Sequence, residues 1–354
     1  MKLFISKIHY KNQLNFIEKT VYYLLKAIGF PYYIAVQVRN KLYDKGILRS
    51  YNSKSFVISV GNITTGGVGK TPFTMEIANY YLGLNKKVAI LSRGYGSKLN
   101  TKKPNLISDG SGAIFPAAIA GDEPYWLAEN AKGAYVVTCK SRVKAEKYIR
   151  DKFNPDIIIL DDGFQHRKIK RDLDIVLVDS KNKFGNQSVL PAGPLRECIE
   201  GIKRADKIVI VNKDYDDKNA LKYCDYLKKK LKQDIYLCKL IPDYAYNIIS
   251  GEQLSKKEKI MAFSAIGQPK SFYDFLKDDY ILTAILEFED HHSYDREDVS
   301  KIISYAQECG VTNIITTEKD AVKIKEIIKD VEMPVKFYAL KLKAFVDIRE
   351  ICGV

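Results

Sequence analysis

The chain has 354 residues, 46% hydrophobic and 28% charged. That composition leaves room for two packed cores and excludes disordered and fibrous classes. The formal net charge of +14 suits an acidic partner: nucleic acid, an anionic membrane surface or a phosphorylated substrate. The sequence shows no zinc finger, RNP motif or arginine-rich arm, so nucleic acid is the weakest of the three. Six scattered cysteines without a Cys-x-x-Cys pair or Cys/His metal spacing argue for reduced thiols in a cytosolic protein.

Residues 1–50 are dense in apolar positions, among them Phe16, Leu24, Leu25, Ile28 and Phe30. The uncharged run from Ala27 to Val38 is too short to span a bilayer and contains Pro31. No small-residue cleavage site marks a signal peptide. The pattern predicts two short helices broken near Gly29-Phe30-Pro31. Tyr22, Tyr23, Tyr32 and Tyr33 cluster with Lys26, Arg39, Lys41 and Lys45. Such a mix suits a segment lying on an anionic membrane, and packing on the next domain is the alternative.

Phe56 to Gly61 is a β-branched and apolar run that feeds Thr64-Thr65-Gly66-Gly67-Val68-Gly69-Lys70-Thr71, and an amphipathic stretch from Pro72 to Leu84 follows. Strand, glycine turn and helix ending in Gly-Lys-Thr form a phosphate-binding loop. Its backbone amides and the helix N-terminus hold phosphate oxygens. Lys70 neutralises the β- and γ-phosphates there, and the Thr71 hydroxyl ligates Mg²⁺. Thr64 stands where the usual pattern has its first glycine.

From residue 55 to about 240 strand and helix alternate, which predicts a parallel sheet with helices on both faces. Ser92-Arg93-Gly94-Tyr95-Gly96 follows the second strand, and Arg93 is either an anion clamp or a surface arginine. Asp122, in Gly121-Asp122-Glu123-Pro124, is either a helix cap or a base for an acceptor hydroxyl. Asp161-Asp162 ends an apolar strand beside the loop, where a Mg²⁺-organising carboxylate belongs. Gly163-Phe164-Gln165-His166-Arg167 follows. The Pro191-to-Glu197 loop carries Arg196 and Glu197, a pair suited to phosphate and hydroxyl recognition or simply to a surface ion pair.

The rhythm restarts near residue 241 and predicts a smaller α/β domain over 241–354, after the N-terminal segment over 1–50 and a phosphate-loop domain over 51–240. Phe288-Glu289-Asp290-His291-His292 is expected to close a strand, which would put the two histidines on opposite faces. Thr316-Thr317-Glu318-Lys319-Asp320-Ala321 reads as a helix cap.

Seven motifs in order resemble one family: residues 59–72, 92–96, 121–124, 161–166, 193–197, 290–292 and 316–321. The family is tetraacyldisaccharide 4'-kinase, the lipid A 4'-kinase of Gram-negative bacteria, whose pattern also has threonine at position 64. The resemblance implies a peripheral enzyme on the cytoplasmic face of the inner membrane, with ATP as co-substrate and Mg²⁺ as cofactor. It implies transfer of the γ-phosphate of ATP to the 4'-hydroxyl of a tetraacylated glucosamine disaccharide 1-phosphate, between a P-loop core and a smaller α/β domain. Asp122 with His291 would be the catalytic pair, Lys70 and Thr71 would handle phosphate and metal, and Asp161 and Asp162 would lie nearby. Arg93, Arg142, Gln165, His166, Arg196 and Glu197 would contact the disaccharide, its phosphate or the transition state.

A membrane-associated ATPase switch of the partitioning type is the rival reading. Its loop begins with a lysine where this chain has Thr65. ATP-dependent dimerisation and hydrolysis without a phosphorylated lipid product would mark that class.

Overall fold

The computed structural model describes residues 2–353 apart from 12, 215, 268, 291 and 330. The chain opens with α1 (Lys2–Tyr10) and α2 (Phe16–Asp44). Then come β1 (Phe56–Gly61), α3 (Lys70–Gly83), β2 (Val88–Ser92), β3 (Asn105–Asp109), α4 (Ala117–Ala120), α5 (Asp122–Asn130), β4 (Tyr135–Thr138), α6 (Arg142–Phe153), β5 (Ile157–Asp161) and β6 (Leu173–Asp179). A 3₁₀ turn (Ile199–Arg204) leads to β7 (Lys207–Asn212), α7 (Lys218–Lys230) and the long β8 (Asp234–Asn247). The last part holds β9 (Lys259–Ser264), α8 (Lys270–Asp279), β10 (Ile281–Glu287), α9 (Arg296–Glu308), β11 (Asn313–Thr317), α10 (Glu318–Ile328), β12 (Lys336–Phe345) and α11 (Ile348–Cys352).

One sheet runs through the molecule in the order β10-β9-β11-β12-β8-β7-β6-β1-β5-β2-β4-β3. The strands from β8 to β4 are parallel, and so are β10, β9, β11 and β12. The two sets run in opposite directions where β12 pairs with β8. Central strands such as β1, β2 and β5 are buried along nearly their whole length, as a sheet covered on both faces requires.

β8 explains how the halves meet. Its first six residues pair with β7, and its remainder pairs with β12. Asn212, the last residue of β7, lies opposite Lys239, whereas Thr317, the last of β11, lies opposite Leu340 and through it Ala245. Six residues of strand span about 20 Å. The second set of strands therefore stands beyond the C-terminal edge of the first and points its own C-terminal ends back toward it. Ligands in open parallel sheets bind at such ends, and here two of these edges face one cleft. The boundary expected at residues 240 and 241 falls inside this shared strand.

The N-terminal segment differs from the expected pair of broken helices. α2 is continuous over 29 residues with Pro31 inside it. At about 100° per residue, Phe16, Tyr23, Leu24, Ile28, Phe30, Pro31, Ile34 and Val38 fall on one outward arc of about 160°. Proline removes one amide donor and frees one carbonyl. On this arc the freed Ala27 carbonyl faces solvent, since Ala27 is exposed. The opposite face is pinned on both sides of the proline. Tyr22 is hydrogen-bonded to Ser188 at 2.9 Å, the Tyr32 hydroxyl donates to the Arg196 carbonyl at 2.7 Å, and Asn40 Nδ2 donates to Glu197 Oε2 at 3.0 Å. An Asn15–Glu18 capping box starts the helix.

Candidate active site

Gly69 caps α3 with φ 96°, and Gly66 has φ 108°. A side chain at either position would be strained, and the turn they form aims the first amides of α3 into the cleft. Lys70 opens that helix. Its Nζ donates to Asn62 Oδ1 at 3.3 Å and lies 3.6 Å from Asp162 Oδ1. Thr71 follows in the first turn and is half-buried. Neighbouring segments brace the loop. The Thr65 amide donates to the Pro194 carbonyl at 2.7 Å, the Arg196 amide to Ile63 at 2.8 Å, and Lys213 Nζ to the Gly67 carbonyl.

The carboxylates sit at the end of β5, the strand beside β1. Asp161 is 3% exposed. Burial pushes its carboxyl up to about 7, with Glu123 and Asp162 adding to the shift and Lys70 and Arg142 opposing it. Its Oδ1 accepts from the Thr74 hydroxyl at 3.4 Å. Asp162 stays below the ordinary carboxylate range: burial works to raise it, but Lys70 and Arg196 outweigh that. Arg196 NH1 reaches both Asp162 oxygens at 2.8 Å.

Other expected residues are used to build the site. Arg142 is 2% exposed, and burial lowers its guanidinium to about 10. It donates to the Cys139 carbonyl at 3.1 Å and the Asp161 carbonyl at 2.9 Å, bracing two strand ends from beneath the cleft. The Arg142 amide donates to His166 Nε2 at 3.3 Å. Burial, with Arg142 adding, lowers His166 to about 4 and keeps it neutral. Gln165 Nε2 donates to the Asn62 carbonyl at 2.9 Å and to Glu197 Oε1 at 3.0 Å. Glu197 is buried and also accepts from Asn40 and, at 2.8 Å, from Arg204, so it ties α2 to the loop and the 3₁₀ turn. Arg93 is exposed and close enough to Arg142 and His166 to disfavour their charged forms.

Asp122 is the first residue of α5. The preceding Gly121 has φ 90°, and a Cβ there would meet the Tyr95 carbonyl oxygen at 2.8 Å. Only glycine lets the helix start this close to the turn after Arg93. The same first turn of α5 reaches β5, since Glu123 raises Asp161. His291 lies outside the described residues. The strand reading is corrected by its neighbours: β10 ends at Glu287, and residues 288–290 and 292 lie outside any strand, so strand alternation does not apply. His292 Nε2 is 2.7 Å from Asp298 Oδ2. Thr317 caps α10 as expected, accepting from the Asp320 amide at 3.1 Å.

Two lysines went unnoticed in the sequence. Lys213 lies at the end of β7 on the far side of the loop, 3.3 Å from Asp179. Lys323 in α10 lies 3.8 Å from Asp122. The only sequence signal for Lys323 was its i+3 spacing from Asp320, and only the fold brings it to α5. Among the described residues no cluster of three or more His, Cys, Asp or Glu could hold a metal. Mg²⁺ in nucleotide sites needs one or two carboxylates, with substrate phosphates and water completing the set. Buried Asp161, with Asp162 and Thr71, fits that donor set. Beyond Lys213 a cavity of about 410 Å³ opens between Lys181, Lys270, Ser271 and Lys277.

The family model for tetraacyldisaccharide-1-P 4'-kinase, LpxK, matches residues 21–351. The chain belongs to this family. A LpxK relative named tetraacyldisaccharide 4'-kinase from Halothermothrix orenii is 34% identical, over 94% of this chain and 92% of its own. A second, from Desulfotalea psychrophila, is 36% identical over 85% and 88%. The solved LpxK of Aquifex aeolicus, in complex with ATP, superposes with a TM-score of 0.74 at 30% identity, covering 93% of this chain and 96% of that one. The loop, the Asp161-Asp162 pair and Asp122 all lie within the span that matches LpxK.

Proposed function

We propose that this chain transfers the γ-phosphate of ATP to the 4'-hydroxyl of a tetraacylated glucosamine disaccharide 1-phosphate, the kinase step of lipid A biosynthesis. The observation that carries this is the convergence of a phosphate loop, two carboxylates at the neighbouring strand end and the start of α5, within a chain of this family.

The loop from Thr64 to Thr71 cradles the triphosphate, and Lys70 neutralises its β/γ end. Thr71, Asp161 and Asp162 would hold Mg²⁺, which supplies charge neutralisation on the phosphates when bound. The β5 side of the loop takes the γ end, because the carboxylates and Arg196 are there. The nucleoside then leaves over Lys213 toward the cavity. Asp122 accepts the proton of the sugar hydroxyl as its oxygen bonds to phosphorus and the bond to the bridging oxygen of ADP breaks. His291 pairs with Asp122. Arg93, Gln165, His166 and Arg196 contact the anionic disaccharide or line its pocket, with Arg142 and Glu197 fixing their positions. The second half, over 241–354, closes on the site and excludes water as a competing acceptor.

The outward arc of α2 supports seating at the cytoplasmic face of the inner membrane. From Phe16 to Val38 it is apolar apart from Thr20, and Lys19, Lys26, Arg39 and Lys41 border it. No helix among the described residues is long and apolar enough to cross a bilayer, so the segment would lie in the interface. Labelled ATP and the lipid disaccharide phosphate test the reading. Label at the 4' position of the lipid is expected. ATP hydrolysis with no labelled lipid would overturn it in favour of a switch ATPase.

A further inference from the structure

We propose that Lys323 is a positioning residue for this phosphoryl transfer, holding the Asp122 carboxylate in place from the opposite half of the molecule. The inference rests on the role of Asp122 given above.

Lys323 is a cation with a side chain only 9% exposed. A buried ammonium must be met by acceptors. Two come from its own half: the His292 carbonyl at 2.9 Å and Asp320 Oδ1 at 3.3 Å. The Tyr294 ring lies 5.7 Å away. Asp320 is fully buried and already committed, since its Oδ2 accepts from the Ala265 amide at 2.9 Å and the Thr317 hydroxyl at 2.8 Å. Lys323 is thus fixed on a frame built from the end of β9, the start of α10 and the segment of His292 and Tyr294. The remaining partner is Asp122 Oδ2 at 3.8 Å, from α5 across the cleft.

Asp122 is 29% exposed on its side chain and begins a helix whose own cap contributes no side-chain bond. Lys323 is the one ion-pair partner recorded for it among the described residues. Fixing a base to within a fraction of an ångström of its productive position is worth large factors in rate. Lys323 also donates to the His292 carbonyl, so one side chain links the start of α5 to the segment that follows β10. The hydrocarbon stem of lysine reaches across the seam, which a shorter polar residue at 323 would not.

The test is a kinetic cycle in the intact enzyme. Lys323→Met is expected to lower kcat by about 10- to 100-fold, with KM for ATP and for the lipid within about threefold of wild type, in a variant that melts lower because Asp320 loses its cation but is folded at the assay temperature. Lys323→Arg should recover part of kcat. The double variant Lys323→Met with Asp122→Asn should be no more than about threefold slower than Asp122→Asn alone, because the lysine acts through that carboxylate. If the methionine variant does not fold, Lys323→Gln, which is uncharged and one bond shorter but keeps a donor for the contacts within its own half, carries the same reading. Wild-type kcat in the uncharged variant, a loss confined to KM, or a full multiplicative loss on top of Asp122→Asn would each overturn the inference. Asp122→Asn at wild-type rate would overturn the base assignment as well, so the two failures are distinguishable.

Discussion

Asp161 and Asp162 are adjacent in sequence and opposite in character. Burial holds the first up near 7, whereas Lys70 and Arg196 hold the second low. Neighbouring carboxylates tuned apart are a mark of functional sites. The sequence showed the pair because it lies at the end of an apolar run, and showed the loop because its chemistry is local. It did not show Arg142 turning inward. The resemblance put Arg142 among the substrate contacts, and nothing in its local sequence shows that the fold buries it. His166 allows a direct check. Its ordinary value is 6.5, and the fold lowers it to about 4. Above pH 6.5 both states are neutral there. Below it the unfolded chain takes up a proton that the folded chain refuses, so stability falls as pH drops from 6.5 to 4. Denaturant titrations of wild type and His166→Gln should therefore differ in pH slope, with the variant losing less between pH 6.5 and 4. Equal slopes over that range would show that His166 is not held neutral.

At the scale of the element, α2 shows where pattern reading stops. Proline inside a helix costs about 3 kcal/mol or more, so a break was the local expectation. The tertiary contacts of Tyr22, Tyr32 and Asn40 hold both halves of the helix in line, and no local signal encodes them. The packing alternative for this segment is realised on one face, and the other face is left apolar. Replacing Ile28 and Phe30, both exposed, with glutamate should leave the melting temperature within a few degrees of wild type. It should weaken binding to anionic vesicles by about tenfold or more, since each large apolar side chain is worth about 1.5–3 kcal/mol on burial. Undiminished vesicle binding would remove α2 as the contact. Lys323 makes the same point about long range: Asp122 lies 201 positions earlier in the chain, and neither residue's surroundings name the other.

For the whole molecule, the alternation of strands and helices was legible, and so were the loop and the smaller second half. The run of β8 through both halves was not, because a strand that changes partners midway looks like two strands with a boundary between them. A continuous sheet predicts cooperative unfolding. Fluorescence of Trp126, the single tryptophan, and far-UV circular dichroism should melt together, and two separated transitions would mean independent halves. The shared strand also sets two C-terminal edges against each other, and Asp122 at the start of α5 meets Lys323 of α10 where they face. The most direct measurement is the turnover of Asp122→Asn with ATP and the lipid disaccharide phosphate, taken with its affinity for ATP. Loss of about 10²- to 10⁴-fold in kcat with an unchanged Kd for ATP is predicted. Turnover at the wild-type rate would contradict the account.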